Sequence, residues 1–449
     1  MTRQLLASTL TMAALVASPA FAVVGADEAA KLKTTLTPLG AEKAGNQDGS
    51  IPAWGGGYTK GDAGAKVGDI PSQLFANEKP IAQISAANVS QHAARLSEGT
   101  QALLKKFPDS FKVNVYPSHR TMAAPPYVYD NTFKNATQCK LVDGGRTVAG
   151  CFGGIPFPIP QAGVEVVWNH LLRFEPESIS FGFKNLVGSA DGSRTLATRN
   201  EQHYQYPYYY KDGSAEKWSG EYFLMRFSTT APPFKVGESL VIRDSINPDN
   251  PRQAWQYLVG QRRVRRAPTV AYDTPDFVAS GSNYFDEVIG FFGHPDRYDW
   301  KLVGKQEIYV PYNNNGFVTA SEDEAFTKHH VNPERMRWEL HRVWVVEATV
   351  GAGKRHAVPK RRFYFDEDSY ALLLLDGFDA EGKLWRTSQI PSFVVPSVPA
   401  VLIKTAIVYN LQAGTMSAVQ ALNGETYNVV ARRPEIFFTG DAIAAEAAR

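Results

Sequence analysis

The feature that most constrains the fold is a long stretch of period-two alternation, which begins at about Ser180 and continues past residue 380. Segments such as Tyr298 to Val310 and Arg337 to Val350 alternate over ten or more positions, which is typical of β-strands. The acidic turns Asp366-Glu367-Asp368 and Asp379-Ala380-Glu381-Gly382 separate consecutive strands and predict hairpins. Long consecutive strands with tight turns form antiparallel meanders that curl as they twist. The sequence therefore predicts a mainly β fold with some α-helix, in which a large curved antiparallel sheet forms a half-barrel covered by helices.

Helical spacing of apolar residues is confined to three shorter regions. The clearest runs from Ala162 to Phe174 and follows a proline-rich connector over residues 153–160. A second helix is predicted from Ser85 to about Lys106, and a third from about Val398 to Tyr409. Residues Pro126 to Tyr129 are predicted as a short strand. We expect the first of these helices to lie across the mouth of the sheet.

The first 22 residues have the three-part pattern of a secretory signal peptide. Arg3 supplies the positive charge, an apolar run extends from Leu5 to Val16, and Ala20-Phe21-Ala22 is a small-x-small cleavage site. The apolar run is too short to span a bilayer, which requires about 20 residues. We therefore expect cleavage after Ala22 and export of a soluble, non-membrane-spanning chain to the periplasm. No cysteine lies beside the cleavage site, so a lipid-modified amino terminus is not expected.

The remainder of the chain divides by composition into three parts. Residues 23–160 are predicted to form an extended arm, a helix and a disulfide hairpin packed on the body, residues 161–437 the half-barrel, and residues 438–449 a frayed tail. Cys139 and Cys151 flank the turn signal Asp143-Gly144-Gly145 and are the two cysteines of the chain. In an oxidising compartment such a pair is expected to be bridged, which stabilises by about 3 kcal/mol in the chain-entropy model.

Charge and motifs disfavour several classes of function. Lys and Arg number 47 against 45 Asp and Glu, so no long-range attraction to nucleic acid is expected. The sequence contains no nucleophile elbow, phosphate-binding loop or zinc-protease motif, and it predicts neither an enzyme nor a metal or cofactor site. The histidines of the one cluster, His329-His330 with His341 and His356, are interpreted as surface residues, and Asp366-Glu367-Asp368 as a solvated turn.

A basic run, Arg262-Arg263-Val264-Arg265-Arg266, is the strongest local charge pattern. Alternation along a strand divides these arginines between two faces. We interpret the run as a rim that pairs with internal carboxylates or with an anionic head group, for which Arg263 and Arg265 are the candidates.

Several stretches resemble one family of periplasmic proteins, the domain-of-unknown-function family 1329, which is related in fold to the outer-membrane lipoprotein carriers. The resemblance rests on segments that together cover nearly the whole mature chain: Leu36-Thr37-Pro38-Leu39-Gly40-Ala41 with Gly49-Ser50-Ile51-Pro52-Ala53-Trp54, Gly153-Gly154-Ile155-Pro156-Phe157-Pro158, Trp255-Gln256-Tyr257-Leu258, Arg337-Trp338-Glu339-Leu340-His341-Arg342, and Lys360-Arg361-Arg362-Phe363-Tyr364.

This resemblance implies a curved sheet with an apolar concave face, a carrier of acyl chains in the periplasm, and partners of two kinds. Those partners are a resistance-nodulation-division type inner-membrane transporter and an outer-membrane protein. The family has no established catalytic residues. The absence of a cysteine next to the signal peptide departs from the lipidated relatives and favours a free shuttle.

Candidates for the apolar ligand-binding surface follow from the helical and strand patterns. The covering helix contributes Trp168, Leu171 and Leu172, and one strand contributes Trp338, Leu340, Trp344 and Val346. The same pattern is equally compatible with a solid core. The leading hypothesis is therefore a carrier of a lipid, a lipoprotein acyl chain or another hydrophobic molecule. The alternatives are an enzyme acting on an envelope lipid or glycan, and a structural adaptor of a transporter complex.

Overall fold

The computed structural model describes residues 23–61, 65–72 and 74–447, so the predicted signal peptide lies outside the described residues. Within these ranges the structure has eight α-helices and twenty β-strands. The helices are α1 Ala26–Ala30, α2 Val89–His92, α3 Glu98–Lys106, α4 Pro126–Gln138, α5 Gly163–Leu171, α6 Asn315–Val318, α7 Glu322–Ala325 and α8 Gly440–Ala447. The strands are β1 Ala82–Ile84, β2 Val113–Tyr116, β3 Lys140–Val142, β4 Thr147–Ala149, β5 Ser178–Gly188, β6 Arg194–Gln205, β7 Glu221–Ala231, β8 Ser239–Ser245, β9 Arg252–Leu258, β10 Arg263–Arg266, β11 Tyr298–Pro311, β12 Trp338–Val350, β13 Lys360–Asp366, β14 Leu372–Phe378, β15 Leu384–Gln389, β16 Phe393–Val395, β17 Ala400–Leu402, β18 Ala406–Asn410, β19 Thr415–Ala421 and β20 Tyr427–Val429.

One 16-stranded sheet dominates the fold and confirms the predicted fold class. Its order is β1-β2-β12-β13-β14-β15-β18-β19-β5-β6-β7-β8-β9-β10, with β11 on β12 and β20 on β5. The sheet is open, and its pairings are antiparallel except for the parallel contact between β2 and β12. Strands β1 and β2 come from the segment predicted as arm and hairpin, so that segment contributes to the main sheet.

Strand β12 is covered on both faces, whereas period-two alternation is typical of a strand with one solvent-exposed face. Trp338 and Leu340 are buried, as predicted, but so are Glu339 and His341, which alternate with them. The polar side chains are accommodated because they pair with one another and with Arg337. Alternation therefore predicted the strand correctly but did not identify an exposed face.

The predicted covering helix is α5, and it packs against β11 and β12. Its start is fixed by Glu165, whose carboxylate accepts hydrogen bonds from the backbone N–H groups of Gln161 and Ala162. Gly163 permits the close approach, since a Cβ there would lie 2.9 Å from the carbonyl carbon of Trp300. The helix thus lies on the β11–β12 ladder with almost no space between them.

Two predictions of secondary structure are wrong. Residues from Pro126 form helix α4 instead of a strand, because Pro126 suits the first helical turn and the buried residues Val128, Thr132, Asn135 and Ala136 recur at helical spacing. The segment Val398 to Tyr409 forms β17 and β18 instead of a helix, since β18 completes the ladder between β15 and β19. Its almost continuous apolar character is compatible with either a buried strand or a buried helix.

The predicted helix from Ser85 to Lys106 is two helices. Leu96 is extended, and the Ser97 hydroxyl accepts a hydrogen bond from the Thr100 N–H, which starts α3 as a separate helix. At the other end of the chain, where a frayed tail was predicted, α8 packs on β9 and β10. Its Ile443 is 2% exposed and shares a small apolar cluster with Phe438 and Leu224. Gly440 starts this helix directly against the Trp255 indole.

The disulfide between Cys139 and Cys151 is present, as predicted, and ties the end of α4 to the loop after β4. Both cysteines are 2% exposed. Across the residues that the structure describes, no helix combines the length and the apolar character needed to cross a bilayer.

Candidate functional site

An enclosed cavity lies between one half of the sheet and the segment that connects β10 to β11. We call residues 267–297 the crossing segment; it contains short 3₁₀ turns instead of longer helices. The cavity has a volume of about 30 Å³. It is lined from the sheet by Phe183, Asn185, Gln202, Met225, Phe227, Leu240, Ile242, Val419 and Gln420, and from the crossing segment by Asp276, Val278, Phe285, Val288 and Phe292. Since one water needs about 10–15 Å³ on this measure, the closed cavity has room for about two water molecules.

Two polar side chains interrupt the apolar lining. Within the described part of the chain, both amide atoms of Gln202 are buried and have no hydrogen-bond partner, and the side-chain oxygen of Gln420 is in the same state. An unpaired buried amide atom costs about 1–3 kcal/mol. A water or a polar atom of a bound molecule in the cavity would offset that cost.

Asp276 places a carboxyl group at the cavity on the side of the crossing segment. Its oxygens accept hydrogen bonds from the Val278 N–H at 2.9 Å and from the Asn283 side-chain amide at 3.3 Å. Burial raises the pKa of Asp276 to about 6, and these hydrogen bonds oppose the shift only in part. The carboxyl therefore changes its protonation state close to neutral pH.

The crossing segment is fixed to the sheet at one point by two buried ion pairs. Arg361 donates to both oxygens of Asp286 at 2.8 and 3.1 Å, and Arg386 donates to both oxygens of Glu287 at 2.7 Å. Bidentate arginine–carboxylate pairs of this kind are geometrically specific and strong. They fix the middle of the segment over β13 and β15.

The first half of the crossing segment is held to the rest of the fold by single hydrogen bonds, such as those that Arg252 donates to the Val270 carbonyl and the Ala357 N–H donates to Asp273, and among the described residues by no ion pair. The Thr198 hydroxyl donates to the Val278 carbonyl at 2.9 Å, and the hydroxyls of Ser282 and Ser417 are 2.5 Å apart. Tyr272 and Ser280 adopt left-handed backbone conformations, which are unfavourable for residues other than glycine. With no ion pair to break, this half should open at a lower cost than the anchored middle of the segment.

A surface cleft of about 610 Å³ lies beside this half of the crossing segment. Its basic residues are Lys235, Arg265 and Arg266, and Phe277 and Phe285 contribute aromatic rings. Phe285 also lines the enclosed cavity, so this side chain borders both spaces. The cleft lining therefore carries a net positive charge, with three basic side chains against Glu238, and it borders the apolar cavity through Phe285.

Of the two residues predicted to bind a head group, one lies in the lining of the cleft and the other lies outside it. Arg265 lies in the lining of the cleft, together with Arg266. Arg263 is exposed on the same strand and does not belong to that lining. Their role in binding a head group remains a prediction.

The seven predicted cavity residues lie elsewhere in the fold. Trp168, Leu172, Trp338, Leu340 and Val346 are at most 3% exposed and belong to the main core, while Leu171 and Trp344 are partly buried at its edge. None of the seven is part of the lining of the cavity or the cleft. The helix candidates and the strand candidates do lie close together, because α5 packs on β12. They meet in the packed core and not around a cavity.

The sequence pattern did not indicate the crossing segment as part of a site. Its lining residues have neither helical nor strand spacing, since the segment forms turns. The available signal was the basic run from Arg262 to Arg266, which is followed by an irregular stretch with Phe285, Phe291 and Phe292.

The predicted solvated turn and surface histidines are wrong in part. Asp366, Glu367 and Asp368 are at most 4% exposed, and His330 and His341 are 1% exposed. The acidic turn is buried because basic side chains from three other elements meet it, among them Arg120 and Lys305. Only the neighbourhood in three dimensions supplies these partners.

Two comparisons at the level of sequence agree on the family of this chain. The family model described as "Protein of unknown function (DUF1329)" matches residues 83–444. The uncharacterized protein PA3922 of Pseudomonas aeruginosa is 39% identical over 429 residues, which cover 94% of each chain.

Solved structures with related folds are more distant. A DUF1329 family protein from Desulfovibrio piger aligns with a TM-score of 0.41 and 13% identity, over 60% of this chain and 92% of that one. A putative outer membrane lipoprotein-sorting protein domain from Vibrio parahaemolyticus aligns with a TM-score of 0.44 and 13% identity, over 63% of this chain and 98% of that one. The match of the family model over most of the chain confirms the resemblance stated from the sequence: the chain belongs to the DUF1329 family.

Proposed function

We propose that this chain is a periplasmic carrier of a hydrophobic molecule with an anionic head group, and that the crossing segment covers its binding cavity. The observation that carries the proposal is the position of Phe285, which lines both the basic cleft and the apolar cavity. A ligand with its head group at Arg265 and Arg266 would reach the interior by displacing this ring.

The driving force is the burial of the apolar part of the ligand. An acyl chain contributes about 0.8 kcal/mol per methylene, so a long chain contributes on the order of 10 kcal/mol. The closed cavity of about 30 Å³ is too small for such a chain. Binding therefore requires the first half of the crossing segment to move away from β5 to β8, and release requires the reverse movement or a competing partner.

Location and partners are part of the same proposal. Cleavage after Ala22 would release the chain into the periplasm, where the Cys139–Cys151 disulfide is stable. A resistance-nodulation-division type transporter and an outer-membrane protein are the partners implied by the resemblance. They would supply or accept the ligand at the cleft.

A structural adaptor is the second candidate, and the filled core around β12 favours it. In that case the cavity is a packing defect and the crossing segment never opens. The enzymatic alternative requires an acid–base pair at the cavity, where the carboxyl group available is that of Asp276.

A reversible crosslink tests the carrier directly. The hydroxyls of Ser282 and Ser417 are 2.5 Å apart, so the double variant Ser282→Cys with Ser417→Cys should form a disulfide between the crossing segment and β19. We expect the oxidised variant to lose at least tenfold in affinity for a fluorescent long-chain fatty acid, and mild reduction to restore it, because the native disulfide is buried. Each single cysteine variant is the control.

The outcome distinguishes the candidates. Equal binding by the oxidised and reduced double variant would remove the crossing segment from the binding pathway. No binding by the wild-type chain, together with no lipid in native mass spectra of protein extracted gently from the periplasm, would favour the structural adaptor.

A further inference from the structure

The buried acidic turn between β13 and β14 contains a group of side chains that the proposed carrier function does not use. One possible ligand atom from each of His341, Asp366 and Asp368 lies within 4.8 Å of the other two. The three side chains come from β12, from the end of β13 and from the turn that follows it. All three are buried, with side-chain exposures of at most 5% for His341 and Asp368.

The charges around this group leave one carboxylate without a basic partner. Asp368 is paired with Arg120, Glu339 with Arg337, and Glu367 with both Lys305 and Arg342. Among the described residues Asp366 has no such pair, although it is fully buried. A buried carboxylate without a cation is costly.

One oxygen of Asp366 is left unsatisfied. Its Oδ2 accepts hydrogen bonds from the Ser369 N–H and hydroxyl and from the Tyr312 hydroxyl, at 3.0, 2.5 and 3.1 Å. Its Oδ1 is buried without any hydrogen-bond partner in the described part of the chain. A buried, unpartnered carboxylate oxygen beside an imidazole and a second carboxylate is an arrangement that a cation satisfies.

The imidazole of His341 is supported by a neighbouring carboxylate. Its Nε2 lies 3.0 Å from a carboxylate oxygen of Glu339, and Glu339 is itself held by Arg337. When Nε2–H donates to Glu339, Nδ1 carries the lone pair. Carboxylate–histidine contacts of this type are the usual support for a metal-bound histidine, since they fix the tautomer and the ring orientation.

We propose that His341, Asp366 and Asp368 bind a divalent first-row transition cation such as Zn²⁺. Imidazole with two carboxylates suits such a cation better than Mg²⁺ or Ca²⁺, which prefer oxygen ligands alone. Arg120 takes one lone pair on each oxygen of Asp368, at 2.6 and 2.9 Å, and leaves the second lone pairs available. Because every ligand is buried, the ion would serve as a structural link between β12 and the turn after β13.

The competing arrangement is the same buried cluster of side chains with no metal. The metal-bound and the metal-free arrangements predict different results: only the first predicts that the mature chain binds one equivalent of cation tightly. Metal content of chain purified from the periplasm without chelator gives the first measure. The second is titration of chelator-stripped chain with ZnCl₂, followed by calorimetry and by thermal unfolding.

We expect one Zn²⁺ per chain and a concentration-dependent rise in Tm. Asp366→Asn and His341→Gln should weaken Zn²⁺ binding at least 100-fold, while Asp379→Asn, in the exposed turn after β14, should leave it unchanged. Failure of the wild-type chain to bind Zn²⁺, or equal binding by Asp366→Asn, would overturn the proposal.

A spectroscopic measurement covers the case in which the variants do not fold. The X-ray absorption spectrum of the Zn²⁺-loaded wild-type chain should show mixed nitrogen and oxygen ligation with the scattering pattern of one imidazole. An oxygen-only shell would place the ion elsewhere and overturn the proposal. Lipid binding plays no part in these measurements, so the carrier function stands or fails separately.

Discussion

Two parts of the sheet are covered by different kinds of structure, and the space beneath the two covers is filled differently. Below α5, the side chains of β11 to β13 meet regularly spaced helical side chains such as Trp168, and the interior is solid. Below the crossing segment, β5 to β8 meet a chain of turns, and a cavity is left in which the Gln202 amide has no hydrogen-bond partner among the described residues. A regular helix presents a continuous ridge that interdigitates with a sheet, whereas turns must also satisfy their own backbone groups. Apolar composition therefore indicates burial, and the geometry of the cover decides whether space remains.

The largest expected effect comes from the filled region. Trp338→Ala removes a side chain that is 1% exposed, so it should lower the free energy of unfolding by about 3–5 kcal/mol through the cavity it leaves. Denaturant titration measures the loss, and fatty acid binding per folded molecule should stay unchanged. A selective loss of ligand binding with little destabilisation would restore Trp338 as part of the binding wall.

The second largest effect is expected at the cavity, where the free energy of unfolding should depend on pH through Asp276. In the folded chain the pKa of Asp276 is about 6, above its ordinary value of 3.8. The protonated carboxyl therefore contributes stability that is complete below about pH 4 and is lost as the pH rises through 6. A shift of about two pKa units corresponds to on the order of 3 kcal/mol.

Asp276→Asn stays neutral and should be more stable than the wild type at pH 7.5, with the difference shrinking towards pH 4. Urea titrations at both values measure this, and Asp109→Asn, at an exposed position, is the control. A difference that is independent of pH would mean that Asp276 is not the titrating group.

Filling the cavity gives a smaller effect that is specific to binding. Ile242→Phe places a ring into the lining from β8 and should weaken binding of the fluorescent fatty acid about tenfold, with a cost in stability of about 1–3 kcal/mol. Leu196→Phe, on the partly exposed part of β6, adds the same kind of group outside the cavity. Equal binding by both variants would place the ligand elsewhere.

The smallest effect is expected at the mouth of the cleft. Arg265→Glu should weaken an anionic amphiphile about fivefold at low salt, and less at high salt, because exposed charge pairs contribute about 1 kcal/mol or less. Arg263→Glu is the matched control on the same strand, outside the cleft lining. Weakening of a neutral analogue to the same extent would show that charge is not the cause.

The sequence indicated the periodic parts of this fold well. The long strands β11 and β12, the helix α5, the disulfide and the family were all predicted, because each has a local signal in spacing or composition. It failed where the pattern was ambiguous: the nearly continuous apolar segment that forms β18 was predicted as a helix, and the residues from Pro126 that form α4 were predicted as a short strand.

The candidate site, like the fold, has features that the sequence indicated and features that it did not. By itself the sequence determined that this chain builds one large open sheet with abundant apolar side chains and a basic run at Arg262 to Arg266. Only the tertiary structure decided which apolar residues line a cavity and which fill the core, and that the acidic turn at Asp366 is buried among basic side chains. The reason is physical: spacing fixes which side of an element is apolar, but vacancy and charge neutralisation depend on elements distant in sequence.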